Sequence, residues 1–218
     1  MSKYGYVGKE GDVPQQAFKS NAGVLSVNDH LALSQDDKLT QYGNLELIKT
    51  ETPSGVNEIT FEDLPVAKYD TFFLTYILHT GAADVGLFGR FGYENLDGTY
   101  SYEDANNRYA VQRGEGNATF AEYKSTSMWA HQHINLGTMA TGNDGAFTGF
   151  AYLHNMGDSV KYSSLSVHSS YTSRTNVTAC FNYGGGMFPT AKEHNAYWLA
   201  PNTGNFTGTV SMYGLRYK

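Results

Sequence analysis

The pattern of hydrophobic and polar residues changes near residue 55. Before that point, apolar residues are sparse and follow no period of 2 or 3.6 beyond one short stretch. Residues 27–33 could form one or two helical turns, and residues 45–48 could form a short strand. Such a segment cannot build a hydrophobic core alone, so it is either disordered or docked onto a neighbouring protein. We predict docking, with residues 1–54 as a mostly irregular, extended anchoring arm. Its partner-binding side chains would be Tyr4, Tyr6, Val7, Phe18, Val24 and Leu25.

After residue 55 the chain has the pattern of one strand after another. Residues 56–61 alternate apolar and polar positions, and residues 71–78 are apolar on both faces, which predicts a central strand covered on both sides. Asp97-Gly98 between two alternating segments is typical of a hairpin turn. About seven to ten short strands without an intervening helical pattern predict an all-β fold. Residues 55–218 should therefore form an antiparallel β-sandwich, jelly-roll-like in its connectivity.

Composition supports a sheet protein that contacts other proteins. The 218 residues include 17 Tyr, 12 Phe and 24 Gly, which suit pleated surfaces and turns. Only 17% are charged, against about 25% in typical domains, so much of the surface is expected to face protein. The net charge is −6 and the basic residues are scattered, which argues against nucleic acid and anionic membranes as partners. No apolar run approaches the roughly 20 residues needed for membrane insertion.

No arrangement of residues points to catalysis or to a cofactor. His131 and His133 are two apart on a predicted strand and should share a face, so they are weak candidates for metal ligands. A third ligand would have to come from another strand or from symmetry copies around a three-fold axis. We prefer surface or interface histidines without a metal. Gly184–Gly186 lacks the Lys-Ser/Thr of a phosphate loop and is expected at a flexible loop tip. Cys180 is expected to be a buried thiol in a strand. We therefore expect no catalytic residues, no cofactor and no enzymatic activity.

Three aromatic residues, Trp198, Tyr197 and Trp129, lie near predicted loops or strand ends. Exposed aromatics at such positions could be receptor-facing and could stack on sugars. The alternative interpretation is a second small core beneath long loops.

Seven segments of the chain share motifs with a known group of proteins: Tyr4–Gly8, Pro14–Phe18, Asn21–Asp29 and Tyr42–Thr50 in the arm, and Ile59–Phe61, Tyr69–Leu74 and Gly208–Leu215 in the body. They resemble small virion proteins of tailed bacteriophages that infect marine bacteria. The four arm segments are similar to the arm of that group, and the three body segments are similar to the opening and the closing strand of phage β-sandwich domains. None of these motifs is catalytic.

The resemblance implies a non-enzymatic structural protein of the virion, assembled in the host bacterial cytoplasm. Its arm would attach to other virion proteins of the capsid or tail, and its sandwich would project outward, commonly as a homotrimer. A short chain with one arm, one domain and no shaft favours capsid decoration or a short spike. The alternative is a tail-fibre tip, a module that binds a receptor or a host surface glycan.

Overall fold

The computed structural model describes residues 45–80, 85–116, 119–134, 146–172 and 179–215. These residues contain fourteen β-strands and no helix, so none of them belongs to a helix that could cross a membrane. The strands are β1 (Leu45–Glu51), β2 (Ser54–Val56), β3 (Ile59–Phe61), β4 (Thr71–Thr80), β5 (Leu87–Glu94), β6 (Tyr100–Tyr102), β7 (Asn107–Glu115), β8 (Thr119–Met128), β9 (His131–Ile134), β10 (Phe147–His154), β11 (Tyr162–Thr172), β12 (Ala179–Ala191), β13 (Ala196–Pro201) and β14 (Phe206–Leu215).

The strands form two sheets. The large sheet has the order β1-β14-β4-β10-β11-β12-β7-β8, and β2 also pairs with β14. The small sheet has the order β3-β13-β5-β6, and β9 pairs with β5. The pairs between described strands are antiparallel. The predicted antiparallel β-sandwich is confirmed.

The connectivity is that of a jelly roll. Four strands of the large sheet, β1-β14-β4-β10, lie in the same sandwich as the four-stranded path β3-β13-β5-β6. In chain order these eight strands pass repeatedly between the sheets and interleave early strands with late ones, as two Greek keys do. The strands β11, β12, β7 and β8 then extend the large sheet beyond β10. This extension makes the large sheet much wider than the small one.

The hydrophobic core lies between the two sheets. On β4, Phe72, Leu74 and Leu78 point inward and have no exposed surface, as expected from the two-residue period of a strand. The opposite side of β4 is not covered in this way, because Ile77 is 58% exposed. The prediction that β4 is covered on both faces is therefore wrong for the single chain. The apolar residues on its outer side remain accessible.

The sandwich begins earlier than the predicted boundary at residue 54. The strand predicted at residues 45–48 is confirmed as part of β1, which pairs with β14 in the large sheet. The compact unit that contains the sandwich begins at residue 44 instead. Backbone pairing and the half-buried side chain of Ile48 hold β1 to the sheet although the segment has few apolar residues. The arm residues Tyr4, Tyr6, Val7, Phe18, Val24 and Leu25 lie outside the described residues.

The glycine run Gly184–Gly186 was expected at a loop tip, but it lies in the middle of β12. Its backbone pairs with β11 on one side and β7 on the other. A Cβ atom on Gly186 would collide with the ring of His131, which packs against this strand from the small sheet. Gly186 therefore serves close packing between the sheets, and a loop is not needed to explain it.

Candidate assembly surface

The outward-pointing residues of β14, β4, β10, β11 and β12 form one continuous surface, here called the outer face. The strand registers arrange twenty of these residues in four rows of five. The rows are Leu215, Thr71, His154, Ser164 and Met187; Tyr213, Phe73, Tyr152, Ser166 and Gly185; Ser211, Thr75, Phe150, His168 and Tyr183; and Thr209, Ile77, Thr148, Ser170 and Phe181.

None of these twenty residues is Asp, Glu, Lys or Arg. At the 17% charged fraction of the whole chain, twenty positions would hold about three charged residues, and solvent-facing positions normally hold more. The two histidines, His154 and His168, are the titratable imidazoles of the face. The outer face is thus depleted in charge, as the buried centres of protein interfaces are.

Aromatic rings run across the outer face from β14 to β12. The ring of Phe73 lies 4.8 Å from that of Tyr152, 5.7 Å from Phe150 and 6.2 Å from Tyr213. His168 continues the series on β11, with its ring 5.4 Å from Phe150. These separations fall within the range of favourable ring contacts. The surface therefore presents a preorganised aromatic band with few flexible side chains.

The outer face is not flat, because it has a hollow and projecting side chains. A shallow hollow of about 470 Å³ lies near its centre, between the side chains of Ile77, Phe150 and His168. Its lining is otherwise mostly hydroxyl-bearing, and the hydroxyls of Thr148 and Ser170 lie 3.1 Å apart in a hydrogen bond. Ile77 stands at the rim with 58% of its surface exposed. Projecting apolar groups and a polar-lined hollow thus occur on the same face.

Charged residues occur at one border of the outer face. Beyond β12, the strands β7 and β8 contribute Arg108, Glu122 and Lys124. Arg108 and Lys124 line a second, more open hollow of about 870 Å³. A ligand or partner that covers the outer face would therefore meet charged side chains at this edge.

The outer side of the small sheet carries a different cluster, formed by Trp129, Arg90 and Trp198. The guanidinium carbon of Arg90 lies 4.8 Å from the Trp129 ring centre and 4.5 Å from the Trp198 ring centre. The two indole rings are 6.1 Å apart in an edge-to-face arrangement. The Trp198 indole N–H donates a hydrogen bond of 2.9 Å to Glu58. Two of the three aromatics predicted to face a receptor are thus brought together, with a cation held between them.

The third of these aromatics, Tyr197, cannot face a receptor. It has no exposed surface and points into the core, where its hydroxyl lies 2.6 Å from Nε2 of His133 and the two share a hydrogen bond. Consecutive residues of a strand point to opposite faces, so Tyr197 and Trp198 cannot both be outward. Burial raises the pKa of Tyr197 well above its ordinary value and keeps the phenol neutral.

His131 and His133 share a face of β9, but that face is the core. Both have no exposed surface, so the expectation of surface or interface histidines is wrong. Burial lowers the pKa of His131 to about 4, and burial together with the neighbouring His131 lowers the pKa of His133 to about 3. Within the described parts of the chain, no group of three or more His, Cys, Asp or Glu side chains could hold a metal ion. The two imidazoles are neutral core groups.

One constellation was not found from the sequence: Ser163, His194 and Glu103. The Ser163 hydroxyl lies 2.8 Å from Nδ1 of His194, whose Nε2 lies 3.4 Å from a carboxylate oxygen of Glu103. Burial would raise the pKa of Glu103, but hydrogen bonds from His194 and Lys192 outweigh it and lower that pKa. Ser163 and His194 have no exposed surface, so a substrate cannot reach the hydroxyl. The contacts connect β11 to the loops that lead to β7 and β13. No sequence signal could have found them, because the three residues come from distant segments.

The fold and its surfaces define an antiparallel jelly-roll sandwich with one uncharged, aromatic face. No protein-family model and no curated protein matches the sequence. Inferences about function therefore depend on the geometry of the chain.

Proposed function

We propose that this chain is a non-enzymatic structural protein of a bacteriophage virion. Residues 1–43 would attach it to other capsid or tail proteins, and the sandwich would form a capsid decoration or a short spike. The observation that carries the proposal is the outer face, where twenty neighbouring positions hold no charged residue and aromatic rings run across five strands. Assembly into the virion would take place in the host cytoplasm.

The outer face has the composition of an assembly contact. Interface centres are depleted in charged residues and enriched in aromatic ones, whereas solvated sheet faces carry charged residues at alternate positions. Covering exposed groups such as Ile77 and Tyr183, which are 58% and 64% exposed, would release water from apolar surface and stabilise the assembly. Phe73 and Phe150, which contact each other, would contribute little flexibility to be lost on binding.

The test is incorporation of full-length variants into particles purified from the host that produces the chain. The first variant replaces the apolar arm residues Tyr4, Tyr6, Val7, Phe18, Val24 and Leu25 with serine. Its control replaces Gln15 and Gln16 of the same segment with serine. We expect the wild-type chain and the control in the particles, measured by mass spectrometry of gradient fractions, and at least a tenfold loss of the arm variant.

Two outcomes would contradict the proposal at different points. If the wild-type chain is absent from purified particles, the virion assignment is wrong. If the arm variant is incorporated as well as the control, the virion assignment stands and the anchoring role of the arm is wrong.

The cluster of Trp129, Arg90 and Trp198 favours a second candidate function, a receptor- or glycan-binding tip. Indole rings on a sheet surface can stack on sugars, and Glu58 beside them can accept hydrogen bonds from hydroxyl groups. A glycan array distinguishes the two functions. Saturable binding that Trp198→Ala abolishes and Tyr183→Ala, on the other sheet, leaves intact would favour this second function.

A further inference from the structure

We propose that the outer face binds a second copy of this chain, so that the protein is a homo-oligomer held together through its large sheets. The inference rests on the proposed function in one respect, namely that the outer face is an assembly surface. It goes further by naming the partner. Three features of the face fit an identical copy: its lack of charge, its shape and its area.

The first feature is charge. Two copies with a net charge of −6 each repel one another, so a stable contact must keep like charges apart. The small sheet would place carboxylates such as Glu58, Glu62 and Glu94 near those of its copy. The outer face brings no carboxylate to the contact. A basic protein or a nucleic acid, in contrast, would find no complementary charge among these twenty residues.

The second feature is shape. A contact between identical surfaces requires projecting groups and matching hollows on the same patch, because residue i of one copy meets residue j of the other and the reverse. Ile77 and Tyr183 project from the outer face, and the hollow of about 470 Å³ lies beside Ile77. Its hydroxyl-bearing wall, which includes Thr75 and Thr209, can exchange hydrogen bonds with the same residues of a copy.

The third feature is area. Five strands about 4.8 Å apart span about 24 Å, and four rows about 6.7 Å apart cover about 27 Å along the strands. The patch therefore measures roughly 650 Å² per copy, or about 1,300 Å² for the two together. Stable protein–protein interfaces bury about 1,200–2,000 Å² in total. The outer face is large enough to hold two copies together without help from other surfaces.

The test measures the mass of the full-length chain by size-exclusion chromatography with light scattering. The chain has a mass of 24.0 kDa, and we expect the wild type at twice that value, because a contact between two identical faces closes with two copies. Ile77→Lys places a charge within the contact and should raise the dissociation constant at least tenfold. Val160→Lys is the matched control, because it makes the same charge change at a residue that is 81% exposed and outside the outer face. The control should retain the wild-type mass.

Ile77 is largely exposed, so its substitution should leave the fold intact, and circular dichroism checks this. Tyr183→Lys, also at an exposed position of the outer face, provides a second variant with the same expected loss. A wild type that is monomeric overturns the inference, and so does a neutral polysaccharide that binds a monomeric chain through this face. An oligomer that survives both lysine variants also overturns it, since another segment would then hold the copies together.

The inference and the proposed function can fail separately. A monomeric chain that is still found in purified particles would overturn the inference and leave the virion function standing. An oligomer that depends on Ile77 but is absent from particles would overturn the virion function and leave the inference standing.

Discussion

Acid should weaken this sandwich through two buried histidines. Burial lowers the pKa of His131 to about 4 and that of His133 to about 3, whereas an unfolded histidine has a pKa near 6.5. Above pH 6.5 the imidazoles are neutral in both states and make no pH-dependent contribution. Below pH 6.5 the two histidines bind protons in the unfolded chain but stay neutral in the folded chain. The free energy of unfolding therefore decreases as the pH is lowered. The loss is complete only below the folded pKa values.

The magnitude follows from the pKa difference. Each unit corresponds to about 1.4 kcal/mol, and pH 5 lies about 1.5 units below the unfolded pKa. Each histidine should therefore lower the free energy of unfolding by about 2 kcal/mol between neutral pH and pH 5, and the pair by about 4 kcal/mol. A typical domain has only about 5–15 kcal/mol in total. The effect should be easy to measure and could bring the chain close to unfolding.

Urea-induced unfolding followed by far-ultraviolet circular dichroism, at pH 7 and at pH 5, measures this loss. The double variant His131→Gln, His133→Gln should be less stable at pH 7 but should lose about 4 kcal/mol less on acidification than the wild type. Thr126→Gln, which alters an exposed side chain outside the outer face and removes no titratable group, is the control and should retain the wild-type pH dependence. If the double variant and the wild type lose the same free energy, the two imidazoles are not the groups that titrate.

Three further substitutions or measurements test the core. Tyr197→Phe removes the hydrogen bond to His133 and should cost about 1–3 kcal/mol in urea unfolding, whereas Tyr183→Phe at the surface should change stability by less than about 0.5 kcal/mol. Equal effects would show that the buried hydrogen bond contributes nothing. Gly186→Ala would overlap an imidazole ring and should destabilise by about 1–3 kcal/mol or prevent folding; a neutral result would mean that the sheets can separate at this point. The thiol of Cys180, which is 2% exposed, should react with a thiol reagent only in urea, and rapid labelling of the native chain would contradict its burial.

The fold class could be predicted from the sequence because its signals are local. The alternation at Ile59 and Phe61, the Asp97-Gly98 turn and the absence of helical periodicity all reflect the geometry of single strands, which the structure confirms. The jelly-roll connectivity followed from the number and spacing of such strands, and it is also confirmed.

The candidate site depends on strand registers and on contacts between distant segments, which a single sequence does not reveal. Tyr197 and Trp198 differ by one position, and only the register of β13 decides which of them is inward. The interior position of His131 depends on the close approach of the glycine run in β12, which sequence analysis placed at a loop tip. The outer face itself is assembled from five strands that are distant along the chain, so its lack of charge becomes visible only when they are placed side by side.

The apolar character of β4 connects these observations. Its sequence is apolar on both faces, which normally indicates a strand covered on both sides. Folding covers only one of them, and Phe73 and Ile77 remain on the accessible side, within the outer face. If a second chain supplies the missing cover, the pattern predicted the burial correctly and only its source was misassigned. One apolar face of β4 would then be buried by the folding of the sandwich, and the other by its association with a copy.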